Sequence, residues 1–236
     1  MSDTQLVCGP VADAMARRVQ QWQAGGDRRA IFLDCYLRMT RNMLAALAAG
    51  EFRNGAWVDG LLCRFADYYF DALAAYDRTD PATPPVWRVA HDAAATPGTM
   101  TLQNLLLGVN AHINYDLVLT LVDVLAPEWA SLTETERHAR YVDYSYVNDV
   151  IARTIDVVQD EIVERVTPVL QLVDDLLGPV DEWVTEKVIV DWREEVWRHA
   201  LAMLAAADDA ERAVQRSAVE AATLRRAGLL LGRIEI

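Results

Sequence analysis

The chain is poor in cysteine, in histidine and in positive charge. Its three cysteines, Cys8, Cys35 and Cys63, are odd in number and widely spaced. With no CxxC pair, neither a disulfide framework nor a thiolate zinc site is indicated, and a reducing cytoplasm is the expected location. Lys and Arg number 22 against 35 Asp and Glu, a formal net charge of -13. Such a surface repels polyanions on average, so neither nucleic acid nor an acidic membrane is an expected partner. A basic start followed by an apolar stretch is missing, and the greasiest segment, Leu105 to Ala126, is broken by Asn110, His112, Asn114, Asp116 and Asp123. Neither a signal peptide nor a membrane span is therefore expected. Strand-like alternation, fixed-period repeats and low-complexity tracts are lacking too.

What the chain has is apolar residues, 53% of its 236 positions, recurring at three- and four-residue intervals with abundant Ala. That pattern predicts an all-α protein: one single-domain helical bundle over 1–236, with the core bundle at 31–204 and a peripheral C-terminal helix and tail at 205–236. Pro10 opens a first helix striped by Val11, Met15, Val19 and Trp22 and stopped by Gly25-Gly26. A second helix runs from about Arg28 to Ala49, and a third from about Trp57 to Tyr76 leaves Asp67 and Asp71 on its outer face. Proline-rich 79–85 is a loop before a short helix around Val86 to Ala95. The long helix from about Thr99 to Ala126, ended by Pro127, spans roughly 40 Å and is the expected central strut. Thr133 to Glu136 reads as a capping box for a helix reaching about Thr167, where Pro168 interrupts it. Gly178-Pro179 turns the chain into a helix from Trp183 to Leu204, and Asp208-Asp209 precedes the last, Glu211 to Ala227.

The central helix is apolar on every side, yet it carries His112 and Asp116 one turn apart and, nearly opposite, Asn110 and Asn114. Unpartnered, each polar group buried there costs on the order of 1 to 3 kcal/mol, so partners are required. Arg193 sits in the middle of the apolar arc of its own helix; its guanidinium stays charged and needs a carboxylate or several carbonyls, and Asp116 or another inward acid such as Asp143 is the expected partner. Asn148 lies at the inner edge of its helix, Tyr36 and Thr40 can send hydroxyls inward, and Trp87 and Trp197 can wall a pocket. Because His112 and Asn114 diverge on an ideal helix, one pocket for all needs a distortion near Gly108, or there are two polar pockets.

The decapeptide Gly108 to Leu117, Gly-Val-Asn-Ala-His-Ile-Asn-Tyr-Asp-Leu, resembles the hallmark Gly-x-Asn-Ala-His-Ile-Asn-x-Asp-Leu of an all-helical, mainly bacterial family of unknown function. Similar echoes occur at Tyr36-Leu37-x-x-Thr40, at Tyr69 to Leu73, at Trp87, at Tyr141 through Val150, and at Arg193 with Trp197. The resemblance spans roughly residues 31 to 204. It implies an all-helical fold and groups these residues into one site; it implies no chemistry.

The favoured expectation is an enzyme for a small, partly apolar molecule, with catalytic His112, Asp116 and Arg193 lining one ligand-sized hollow. Asp116 orients His112 and raises its basicity for acid-base work; Arg193 neutralises an anion; Asn110, Asn114, Asn148, Tyr36, Trp87 and Trp197 bind substrate. Lyase, isomerase, cyclase or hydrolase chemistry suits this set, with no cofactor and with self-association left open. An alternative makes His112 and Asp116 ligands of a divalent metal, completed by His91, His199 or an acid, although four histidines are few. An isoprenoid-cyclase magnesium site at Asp67/Asp71 and Asn148/Asp156 is discounted, because those aspartates face outward and Ala152 replaces the expected hydroxyl. A further alternative is a non-catalytic ligand- or partner-binding module whose network fixes helix register.

Overall fold

In the computed structural model, residues 7–153 and 182–232 are described, and every regular element among them is helical. Helix α1 (Gly9–Gly25) starts with Pro10 in its first turn and buries Ala12, Met15, Val19 and Trp22. It stops because Gly26 takes a left-handed φ of 69° and its N–H caps the Gln23 and Trp22 carbonyls. Helix α2 (Ala30–Ala48) buries Phe32, Leu33, Tyr36, Thr40 and Met43 along one stripe. Helix α3 (Gly55–Asp77) is capped by the Asn54 side chain, which accepts from the Trp57 N–H. Helix α4 (Pro85–Ala95) follows the proline loop and buries Trp87 and His91.

The central rod is interrupted in a way that the sequence pattern does not reveal. Helix α5 (Thr101–Ala111) passes into a π-helical turn, His112–Asp116, and then into α6 (Leu117–Trp129). At the turn the Leu117 N–H donates to the His112 carbonyl, five residues back; such a widened turn shifts the phase of the helix beyond it. Helix α6 also runs through Pro127 to Trp129 instead of stopping at the proline, which is tolerable so near a helix end because few hydrogen bonds lie beyond it. The stretch Thr101–Trp129 is long and apolar enough to cross a membrane, and 72% of its most apolar window is buried inside the protein.

A helix over 134–153, α7, opens with the expected capping box: the Thr133 N–H lies 2.8 Å from the Glu136 carboxylate and the Glu136 N–H 3.3 Å from the Thr133 hydroxyl. The expected kink at Pro168 and turn at Gly178-Pro179 lie outside the described residues. Helices α8 (Glu182–Ala205) and α9 (Asp209–Leu230) complete the chain, α9 capped by the Asp208 side chain. Helices α2, α4 and α9 pack around α5, while α3, α8 and α9 pack around the π turn.

Two close approaches fix this arrangement. A Cβ at Gly108 would lie 2.5 Å from the Phe32 ring, so only glycine lets α2 and α5 come this near. Helix α9, expected to be peripheral, is instead seated against the central rod, burying Val219, Thr223 and Ala227. The Asn110 side chain donates to the Thr223 carbonyl at 3.0 Å, and the Arg216 guanidinium reaches the Tyr115 hydroxyl at 3.1 Å. A buried amide on the rod needs an acceptor, and α9 supplies it.

Candidate active site

His112 and Asp116 stand at the two ends of the π turn, and His112 Nδ1 lies 3.0 Å from Asp116 Oδ2. From α4, the Trp87 indole donates its Nε1–H to the same carboxylate, 3.1 Å from Oδ1 and 2.9 Å from Oδ2. The Thr120 hydroxyl, 2.8 Å from the Asp116 carbonyl, ties the turn to the start of α6. All three side chains of the hydrogen-bonded series Trp87–Asp116–His112 are buried.

Rings from α2 and α3 enclose the imidazole. Phe65 stacks on it with centroids 3.5 Å apart and planes 7° from parallel, Tyr36 meets it edge-on at 4.2 Å, and Phe32 and Tyr69 lie at 5.7 and 6.2 Å. His112 Nε2, the Tyr36 and Tyr69 hydroxyls and the Thr40 hydroxyl of α2 are all buried without a hydrogen-bond partner. Buried polar atoms are nearly always satisfied, so the orphaned His112 Nε2 asks for an explanation.

Burial governs the protonation of the pair. It pushes the His112 imidazole well below its ordinary range and lifts the Asp116 carboxyl well above its own, with the Trp87 hydrogen bond pulling Asp116 back down. For His112 the cause of the fall is the loss of water around the ring. Burial likewise drives the Tyr36 and Tyr69 hydroxyls toward the protonated form.

Asn110 and Asn114 form a second polar cluster, Asn114 Nδ2 donating to Asn110 Oδ1 at 3.0 Å. The Thr223 hydroxyl closes it, 3.3 Å from the Asn114 carbonyl and 2.9 Å from that of Val219. The rod therefore carries both a distortion and two polar clusters, and the distortion falls at 112–116, not at Gly108.

Arg193 keeps other company than expected. Its Nε donates to Asn148 Oδ1 at 2.6 Å, its fork to the Tyr144 carbonyl at 2.7 Å, and its guanidinium lies 4.3 Å from the centre of the Tyr144 ring. The Tyr144 hydroxyl returns a bond of 2.7 Å to the Arg193 carbonyl, and Trp197 packs on Tyr144 at 4.9 Å. Asp143 is occupied by the Arg53 and Asn54 backbone amides, each at 2.8 Å, where it anchors the approach to α3. Among the described residues Arg193 makes no ion pair with Asp116 or Asp143. The structure thus brings Tyr36, Trp87, His112 and Asp116 together, and it groups Asn148, Arg193 and Trp197 in a separate buttress between α7 and α8. As for the metal alternative, His112 and Asp116 spend their facing atoms on each other, and His199 lies 3.4 Å from Glu195. Asp67 and Asp71 are exposed, as expected.

A cleft of about 600 Å³ lies between the end of α1 and the end of α4, lined by Asp27, Arg28, Arg29, Tyr76, Asp77 and His91 among others. A narrow hollow of about 10 Å³ shares Arg28, Arg29, His91 and Ala94 with it and ends against Phe32, Tyr69, Trp87 and Gly108. His91 stacks on Trp87 at 5.3 Å and its Nε2 has no partner. Burial and the nearby Arg29 charge bring the His91 imidazole down to about 4. Residues 9–233 match the family described as a family of unknown function, DUF5995. The chain belongs to DUF5995. No curated protein and no solved structure matches it. In this DUF5995 protein the family match reaches beyond 31–204 at both ends and takes in all of α1 and α9, the helices that flank the cleft and the Asn110 cluster. Phe65 is missing from the site read from sequence, His91 entered it only as an alternative metal ligand and Tyr69 only through the family resemblance; Phe65 and Tyr69 lie on the apolar stripe of α3, where an aromatic reads as packing.

Proposed function

We propose that this DUF5995 protein is an enzyme acting on a small, partly apolar molecule by acid-base chemistry at His112, in a reaction of the lyase, isomerase, cyclase or hydrolase type. One observation carries the reading. His112 Nε2 is left without a partner while its Nδ1 is held by an acid that is itself held by Trp87.

A buried imidazole avoids becoming imidazolium, and the relay gives it a way to move protons without doing so. With the Asp116 carboxyl protonated, Nδ1 accepts from it and Nε2 carries a hydrogen. Giving that hydrogen to a substrate lets the Asp116 proton pass to Nδ1, and the negative charge ends on the carboxylate, stabilised by the Trp87 N–H. The reverse sequence takes a proton from substrate. The imidazole stays uncharged throughout, and such a step contributes about 10²- to 10⁴-fold in rate. The Tyr36 and Tyr69 hydroxyls, kept protonated by burial, are suited to donate to a carbonyl or hydroxyl of the substrate. The aromatic cage favours an apolar body. Entry requires either the half-buried Phe65 ring to swing off the imidazole or the Phe32–Tyr69–Trp87 wall to part toward the cleft. Arg193, Asn148 and Trp197 take no part.

The test is turnover of small-molecule extracts followed by mass spectrometry, comparing the unaltered chain with His112→Gln and Asp116→Asn. Support is a compound consumed at least about 100-fold more slowly by either variant while the melting temperature stays within a few degrees. Equal turnover by His112→Gln would sink the proposal. A non-catalytic role in ligand binding, favoured by the cleft of about 600 Å³, wins if compounds bind unchanged and the variants bind them equally well.

A further inference from the structure

Two of the three cysteines that sequence spacing sets apart are brought together by the fold. Cys8 immediately precedes α1, and Asp59 and Cys63 occupy one face of α3, one turn apart. The two sulfurs and a carboxylate oxygen of Asp59 all lie within 4.8 Å of one another. Cys8 is fully buried, Asp59 is 5% exposed, and Cys63 is half-buried, which leaves one side of the cluster open to entry.

We propose that Cys8, Asp59 and Cys63 bind a divalent cation of the zinc class, which clips the start of α1 to α3. Three features carry this beyond proximity. Asp59 is a buried carboxylate that makes no side-chain ion pair among the described residues; its oxygens accept from the Val7 N–H at 2.7 Å and the Cys8 N–H at 3.2 Å. Those two bonds fix the chain so that the Cys8 thiol faces Cys63, and each oxygen keeps a lone pair for a cation. The two thiols are within hydrogen-bonding reach of each other, so the donor set needs little movement to close on an ion. A zinc-sulfur bond of about 2.3 Å puts two tetrahedral thiolates roughly 3.8 Å apart.

The donor chemistry selects the ion. Two thiolates reject calcium and magnesium, which take oxygen donors, and favour zinc or a neighbouring transition metal. Binding releases one proton from each thiol, and two thiolates with one carboxylate leave a zinc complex carrying a single negative charge. Three protein donors leave the fourth tetrahedral position for water on the Cys63 side. This site is independent of the His112 reading, since it lies at the α1–α3 junction and shares no residue with the Trp87 relay.

The experiment uses the full chain, reduced and stripped with a chelator, and titrated with cobalt(II) and then zinc. The expected result is one ion per chain, a sulfur-to-cobalt charge-transfer band in the near ultraviolet that zinc abolishes, and a higher melting temperature with zinc bound. Cys63→Ser, at a half-buried position where a folded product can be checked by circular dichroism, should lose the band and weaken zinc binding at least about 100-fold. Cys35→Ser should keep both. A reduced, folded chain that gives no charge-transfer band overturns the proposal. So does a band that survives in Cys63→Ser, or a Cys8–Cys63 disulfide formed in air by a chain whose reduced form takes up no metal.

Discussion

The Trp87 indole and the Asp116 carboxylate are joined by a forked hydrogen bond, Nε1 lying 3.1 and 2.9 Å from the two oxygens. The acid of the candidate pair is therefore positioned from α4 and not from its own helix alone. Trp87→Phe keeps an aromatic ring and removes the donor. We expect a loss of about 1 to 3 kcal/mol in urea unfolding. Combined with Asp116→Asn, the two losses should be coupled and not additive, because each removes the same bond.

Gly108→Ala should destabilise by roughly 1 to 3 kcal/mol, since the added carbon would meet the Phe32 ring at 2.5 Å. Phe32→Leu in the same chain should recover part of the loss. An unchanged unfolding midpoint for Gly108→Ala alone would show that α2 and α5 can move apart at no cost.

His91 should make stability depend on pH. Its folded-state pKa, brought down to about 4 from 6.5, means that the unfolded chain binds the proton more readily. This contribution is fully present above about pH 6.5 and is lost as the pH falls toward 4, where roughly 3 kcal/mol would be gone. The measurement is the difference between the unaltered chain and His91→Gln in urea at pH 7 and pH 4.5. Two parallel curves would refute the assignment.

Arg193→Met should cost about 2 to 4 kcal/mol, because it strands the Asn148 oxygen and the Tyr144 carbonyl. Arg193→Lys should not restore the loss, lacking the planar fork that reaches both acceptors. Once a turnover assay exists, neither change should lower the rate per folded molecule; a selective loss of rate would return Arg193 to the active site.

A chain ending at residue 207 loses α9, and with it the acceptor for the Asn110 amide. We expect it to lose cooperative unfolding, as read by circular dichroism, because buried Thr223 and Ala227 face the central rod. A truncated chain that melts like the full one would make α9 the peripheral helix that the sequence reading expected.

The elements themselves were legible because their signals are local. Pro10 and Gly26 bound α1, the Thr133–Glu136 box opens α7, and the apolar stripe of α2 follows from its spacing. The decapeptide's polar residues also drew attention to the right turn of the rod. Asn114 and His112 diverge into two clusters, as the spacing suggested, although nothing local announces that 112–116 winds as a π turn. Arg193 was read correctly as buried, but its acceptor is an amide and a carbonyl, because any oxygen at the right depth satisfies a guanidinium and periodicity reports depth alone.

By itself, the sequence determined that this protein is helical, where most of its helices begin and end, and which side chains must leave water. Those properties follow from torsional preference, capping and the spacing of apolar residues, which act within a few turns of chain. Only the tertiary structure decided that Trp87 holds Asp116, that Phe65 covers His112, and that Cys8 meets Asp59 and Cys63. Each of these pairs elements far apart in the chain, and helix packing, not local propensity, sets which buried faces meet.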